Sequence, residues 1–179
     1  SAASDVYKRQ LMRTGAAGVL VGFGGGAVTA TRTTIGVHAP MATAIADVAE
    51  ARRDYMDESG GRYVQVIADG GMGDSGSFVK ALAMGADAVM LGAPLARATE
   101  APGGGKHWGA EARHQTLPRG SRTDVGTVGS LEQILFGPSH RADGQVNYIG
   151  ALRRAMASTG YVDVKSFQRC SVVVNPYHV

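Results

Sequence analysis

The chain has 179 residues, 44% of them hydrophobic and 18% charged, a balance that fits a single globular domain and argues against disorder. The net charge of +3 comes without a basic stripe, which fits nucleic acid poorly, and the single cysteine, Cys170, excludes an internal disulfide framework and fits a reducing, cytoplasmic setting. No apolar run approaches the roughly 18 residues that a membrane span needs.

Residues Ser1–Gln10 are polar and aperiodic, and the text changes abruptly at Leu11. The first ten residues are expected to be a non-native leader, with the domain running over 11–179. Three short apolar runs follow, Gly18–Phe23, Val64–Ala68 and Asp87–Leu91, each closing on a glycine-bearing loop. Such runs predict buried parallel strands, adjacent in that order. Between the first two, Pro40–Glu58 carries Met41, Ala44, Ile45, Val48, Arg52, Tyr55 and Met56 on one helical stripe. Ser75–Met84 predicts a second helix, with Asp74 or Ser75 as N-cap and Gly85 beyond its end. Strand–helix alternation of this kind implies a parallel sheet. Gly103–Gly129 is rich in Gly, Arg, His and Thr, has no sustained period, and is expected to be a lid-like loop. Helices are predicted near Ser130–Phe136, Val146–Ser158 and Val162–Arg169, before a terminal run Ser171–Val174.

Chemistry is expected at the strand tips. The loop Gly22–Arg32 holds glycine at 22, 24, 25 and 26, so its amides can cradle an anion and its carbonyls a cation; a plain tight turn is the alternative. It lacks the GxGxxG spacing of a dinucleotide fold. Asp69, followed by Gly70 and Gly71, suits ribose hydroxyls; the alternative is a helix cap. Gly92 and Ala93 follow the third run, and paired glycine-bearing tips on the last two strands are the usual phosphate site of a (β/α)8 barrel. His107, His114 and His140 have no metal-site spacing and are expected on the surface. Cys170 is expected to be a small buried hydrophobe.

The segments VGFGGGAVTATRT, PMATAIADV, ARRDYMDESGGRYVQVIADGGMG, KALAMGADAVMLG, ATEAPG and GALRRAMASTGYVDVKSFQR closely resemble the catalytic barrel of the IMP dehydrogenase/GMP reductase family, in particular its bacterial IMP dehydrogenase-related subgroup. The match covers nearly all of Leu11–Val174 in the family's order. It implies a partial (β/α)8 TIM barrel: strands six to eight with their helices, the C-terminal helices, and a flap-like loop at 103–129. In the family, a cysteine thiolate adds to C2 of the purine, a hydride passes to NAD, and water releases XMP. Reductases form a similar adduct, lose ammonia from GMP and take the hydride from NADPH. Here Gly22 and Gly24 fall on the glycines of the family's GxGxxxxCxT motif, Thr29 on its cysteine and Thr31 on its threonine.

The resemblance further implies Asp69 at the ribose, Gly71 and Gly92 at the phosphate, Gly70 and Ala93 as further substrate-binding positions, and the carbonyls of Gly24, Gly26 and Thr29 around a potassium ion. Ala27 and Ala93 stand where phosphate-contacting serines are usual. Thr31 and Glu100 match a proton-relaying pair, Arg32 follows the reductases' pattern, and Arg119 or Arg122 takes the place of a flap arginine. The implied cofactor is NAD or NADP and the implied partner a purine nucleotide (IMP, XMP or GMP), in a cytoplasmic enzyme whose full-length members are expected to be homotetramers. Three functions compete: an IMP dehydrogenase, a GMP reductase, and a non-catalytic purine-nucleotide-binding or truncated protein, the last because a threonine hydroxyl without an adjacent base is a weak nucleophile.

Overall fold

The computed structural model describes residues 9–28, 31–108 and 122–173. Strands β1 (Gly18–Val21), β2 (Gln65–Asp69) and β3 (Ala88–Met90) form one parallel sheet in the order β1-β2-β3, as the apolar runs predict. Register places Val21 opposite Ala68 and Ala68 opposite Val89. Because side chains alternate along a strand, these residues share one face with Val19 and Val66, and that face is packed. The opposite face carries Leu20, Ile67, Ala88 and Met90; Leu20 is 60% and Met90 45% exposed. β1 and β3 are shorter than their apolar runs, and β2 is shifted one residue along its own. β1 stops at Val21 because Gly22 takes φ +142° and a Cβ there would collide with the Asp69 carbonyl.

The helices that cover the packed face are amphipathic at the expected positions. Helix α1 (Thr31–Ile35) is short and was not foreseen, since its threonines give no apolar stripe. Helix α2 (Met41–Glu58) buries Ile45, Val48, Arg52 and Tyr55 on the predicted stripe, together with Ala49 and Ala51. Helix α3 (Ser75–Ala83) starts at Asp74, whose carboxylate accepts the Ser77 amide at 2.8 Å. That bond satisfies one of the amides left unpaired at the helix start. A first core unites the sheet with α2 and α3 around Ile45, Val64 and Val66.

A second core lies beyond α3. Helices α4 (Ala93–Ala96), α5 (Leu131–Phe136), α6 (Tyr148–Thr159) and α7 (Val164–Phe167) follow in chain order. Ser130 and Gln133 close a reciprocal capping box on α5. Asn147, at φ +59°, caps α6 through the Gly150 amide, which fixes the start of α6 two residues later than predicted. Asp163 caps α7 through the Ser166 amide at 2.7 Å and trims its predicted start. Fully buried Tyr148 packs edge-on against Phe78 at 5.6 Å, and burial pushes its phenol up to about 12. Cys170 is half-buried against this core rather than fully enclosed. Residues 171–173 form no strand and are exposed.

The loop at 103–129 is not structureless. Strands β4 (Lys106–His107) and β5 (Thr123–Asp124) pair antiparallel, and the Val125 amide donates to the Gly105 carbonyl at 2.8 Å. Residues 109–121, which include His114 and Arg119, lie outside the described residues. No helix among the described residues is long and apolar enough to cross a membrane.

Candidate functional site

The carboxyl tips of β1, β2 and β3 converge on one cleft of about 750 Å³. Two glycine loops build its floor. A Cβ added to Gly25 would lie 3.5 Å from the Gly71 amide nitrogen, and one added to Gly70, at φ +104°, 3.4 Å from the Gly25 carbonyl carbon. The two backbones therefore run side by side in van der Waals contact, and the positive φ of Gly70 favours glycine there. Gly92 and Ala93 close a third side at the tip of β3. The structure thus brings together Gly26, Asp69, Gly70, Gly71, Gly92 and Ala93, all predicted from the sequence.

Asp69 ends β2 on the same face as Met90 and lines the cleft. Its carboxylate has no hydrogen-bond partner among the described residues, and the helix-capping alternative is taken by Asp74. A half-buried carboxylate kept free at a strand tip is set to accept hydroxyl hydrogens from a ligand.

Other predicted residues stand apart. Thr29 lies outside the described residues. Thr31 opens α1 and does not line the cleft, although Val28 does. Gly24 sits beside Val37 and His38, one residue away from the lining segment. Glu100 is turned toward α5, where its carboxylate accepts the Leu131 amide at 2.9 Å. Bonds from its own amide and from Leu131 hold that carboxyl below the usual range. In this conformation Glu100 caps a helix, in a separate hollow beside Leu131.

The family model of the IMP dehydrogenase/GMP reductase domain matches residues 2–175. The chain belongs to the IMP dehydrogenase/GMP reductase family. Among its relatives, an uncharacterised oxidoreductase of Mycobacterium leprae is 55% identical over 92% of this chain and 45% of its own length. The inosine-5'-monophosphate dehydrogenase of Aquifex aeolicus is 32% identical over 89% of this chain and 34% of its own. The crystal structure of an IMP dehydrogenase/GMP reductase-like protein from Corynebacterium glutamicum superposes with a TM-score of 0.83 at 54% identity, covering 94% of this chain and 44% of that one. The chain spans less than half the length of these relatives.

Within this family framework, three cleft residues escaped the sequence reading. Arg97 ends α4 and donates to the carbonyls of Gly73 at 2.8 Å and Val125 at 3.2 Å, tying the β2 loop to the β4–β5 hairpin. Trp108 follows β4 into the cleft, with the Arg122 guanidinium 5.3 Å from its ring centre. His107 was expected on the surface; the hairpin instead turns its half-buried ring against Gly92. The KHW triplet after a glycine run was the available signal, but its orientation depends on a pairing across residues too polar to show a strand period. His140 is exposed, as expected.

Proposed function

We propose that the cleft holds a purine nucleoside 5'-monophosphate and that the chain supplies part of a nicotinamide-dependent purine-nucleotide oxidoreductase. The observation that carries this reading is the convergence of Asp69, without a hydrogen-bond partner among the described residues, with the glycine backbones of residues 25, 26, 70, 71 and 92 in one cleft. Asp69 accepts hydrogen bonds from the ribose hydroxyls. The amides of Gly71 and Gly92 take the phosphate, where neutral donors on fixed backbone bind an anion without losing side-chain freedom. By the family resemblance, Thr29 takes the nucleophile position and the carbonyls of Gly24, Gly26 and Thr29 are read as potassium ligands. The three strands are read as the sixth to eighth of an eight-stranded barrel whose full-length form is a cytoplasmic homotetramer. The nicotinamide supplies hydride acceptance or donation when bound.

Oxidation of IMP to XMP with NAD is the leading reaction. Reduction of GMP to IMP with NADPH is the second, favoured by the Thr31-Arg32 pair after the nucleophile position. Thr29 itself favours a third, nucleotide binding without turnover, because an unactivated hydroxyl stays protonated at neutral pH. Calorimetry with IMP and GMP tests the site. Steady-state assays with IMP and NAD, or GMP and NADPH, in a barrel completed with the missing strands test the reaction. Negligible turnover is expected with Thr29 and a gain of several orders of magnitude with Thr29→Cys. Robust turnover with threonine, unimproved by cysteine, overturns this reading of the loop.

A further inference from the structure

Resting on the nucleotide reading of the cleft, we propose that the His107 imidazole is a phosphate ligand, supplying the side-chain donor that Ala27 and Ala93 do not. Four ionisable side chains line the cleft: Asp69, Asp74, Arg97 and His107. Asp74 is occupied by the Ser77 amide and hydroxyl at 2.8 and 2.9 Å. Arg97 spends its Nε and one Nη on the carbonyls of Val125 and Gly73. It contributes charge, with two of its three nitrogens held by those carbonyls. Asp69 is an acceptor and repels an anion. His107 is different: neither ring nitrogen has a hydrogen-bond partner among the described residues, and the ring lies against the backbone proposed to hold the phosphate.

The contact is specific. A Cβ added to Gly92 would stand 2.9 Å from His107 Nε2, 3.4 Å from Cε1 and 4.0 Å from Cδ2. The ring therefore presents its Nε2 edge to Gly92. Gly92 has φ −101° and ψ −80°, outside the positive-φ region that favours glycine, and a side chain there would press on the imidazole. Strand β4 fixes the ring from behind: His107 pairs with Thr123, and the hairpin is held to the cleft floor by Arg97. A phosphate monoester carries about −1.5 to −2 charge at neutral pH. Two alanines at the positions flanking its site give it no hydroxyl, and Arg97, which adds charge, already holds two carbonyls. An N–H from an imidazole, neutral or protonated, meets the need, and a charge-assisted bond of this kind is about twice as strong as a neutral one.

The test compares a nucleoside monophosphate with its nucleoside on the 179-residue chain. Calorimetry is run with GMP, guanosine and inorganic phosphate on the unsubstituted protein, His107→Ala, His107→Phe and His107→Gln. His107→Ala and His107→Phe should each weaken GMP binding by about tenfold or more, leave guanosine unchanged, and abolish binding of inorganic phosphate. Phenylalanine fills the space without a donor, so it carries the test if alanine perturbs folding. His107→Gln keeps an N–H and should recover part of the loss. Gly92→Ala should mimic His107→Ala, and add little to it in the double variant, because its effect runs through the displaced ring. Equal losses for GMP and guanosine would make His107 a wall of the pocket and overturn the proposal, as would unchanged GMP affinity. Failure of the unsubstituted protein to bind GMP at all overturns the nucleotide reading itself.

Discussion

The two ends of the three parallel strands are built in opposite ways. At the carboxyl tips, backbone meets backbone: glycine loops lie side by side and Asp69 has no hydrogen-bond partner among the described residues. At the amino end, side chains saturate one another around Asp87, the residue just before β3. Its carboxylate accepts the Arg52 guanidinium, the Tyr63 hydroxyl at 2.5 Å, the Lys165 ammonium at 2.7 Å, the Val66 amide at 2.8 Å and the Gln168 amide at 3.2 Å. Tyr63 is in turn faced by Arg52 at 4.8 Å and Lys165 at 4.1 Å from its ring centre. The satisfied end gains rigidity and loses reactivity. The open end keeps donors and acceptors for a ligand, the division of labour usual at the two faces of a parallel barrel.

The largest effect should come from breaking the saturated end. Arg52 and Asp87 are both 7% exposed, so Asp87→Ala strands a buried guanidinium and should destabilise the fold by about 3–5 kcal/mol. A thermal melt reads this directly; a loss under 1 kcal/mol would erase the contrast. Asp69→Ala, the matching change at the open end, should leave the melt unchanged and weaken nucleotide binding by about 1–3 kcal/mol. Calorimetry and circular dichroism on the same sample separate the two outcomes, and a stability loss as large as that of Asp87→Ala would refute the division.

Acid sharpens the comparison. Burial pushes the Asp87 carboxyl up, but the bonds from Lys165, Tyr63, Val66 and Gln168 outweigh it and leave the group below its ordinary 3.8. A carboxyl with a depressed folded value binds its proton more readily in the unfolded chain. Its stabilisation is therefore full above that ordinary value and is lost as pH falls through the lower, folded one. Denaturant midpoints should drop below about pH 4, and Asp87→Asn should flatten that limb.

A smaller effect concerns the uncovered sheet face. Leu20 and Met90 expose apolar surface on the side away from α2 and α3, and such a patch promotes association. Leu20→Lys should shift the sedimentation profile toward monomer; an unchanged profile would place the association elsewhere. The smallest change is expected from Glu100→Gln, which weakens the cap on α5 and should lower the melting temperature slightly, leaving GMP affinity as it was.

Much of the open end was legible because its signals are local. Apolar runs that close on glycine gave the strands and their order, the residues around Asp69 and Gly92 gave the cleft, and Asp74 gave the cap of α3. The saturated end was invisible. Asp87 sits inside an apolar run, and its side-chain partners lie 35, 24, 78 and 81 residues away, where no periodicity links them. Arg52 was placed on the buried stripe of α2, but the stripe says nothing about which carboxylate meets it. Helix α1 and the β4–β5 hairpin were missed because their polar residues follow no apolar period, and with the hairpin went His107.

The Asp87 cluster also sets an order of events. Lys165 follows Asp87 by 78 residues, so on a ribosome adding about 5–20 residues per second the third strand waits roughly 4–16 s for that partner. During that interval β3 can pair with β2, since both are already made. Yet its entering carboxylate, already paired with Arg52, lacks the Lys165 and Gln168 bonds that complete its set of partners. The sheet is assembled early and locked late, and a nascent chain halted before Lys165 carries Asp87, at the foot of its third strand, without two of its five partners.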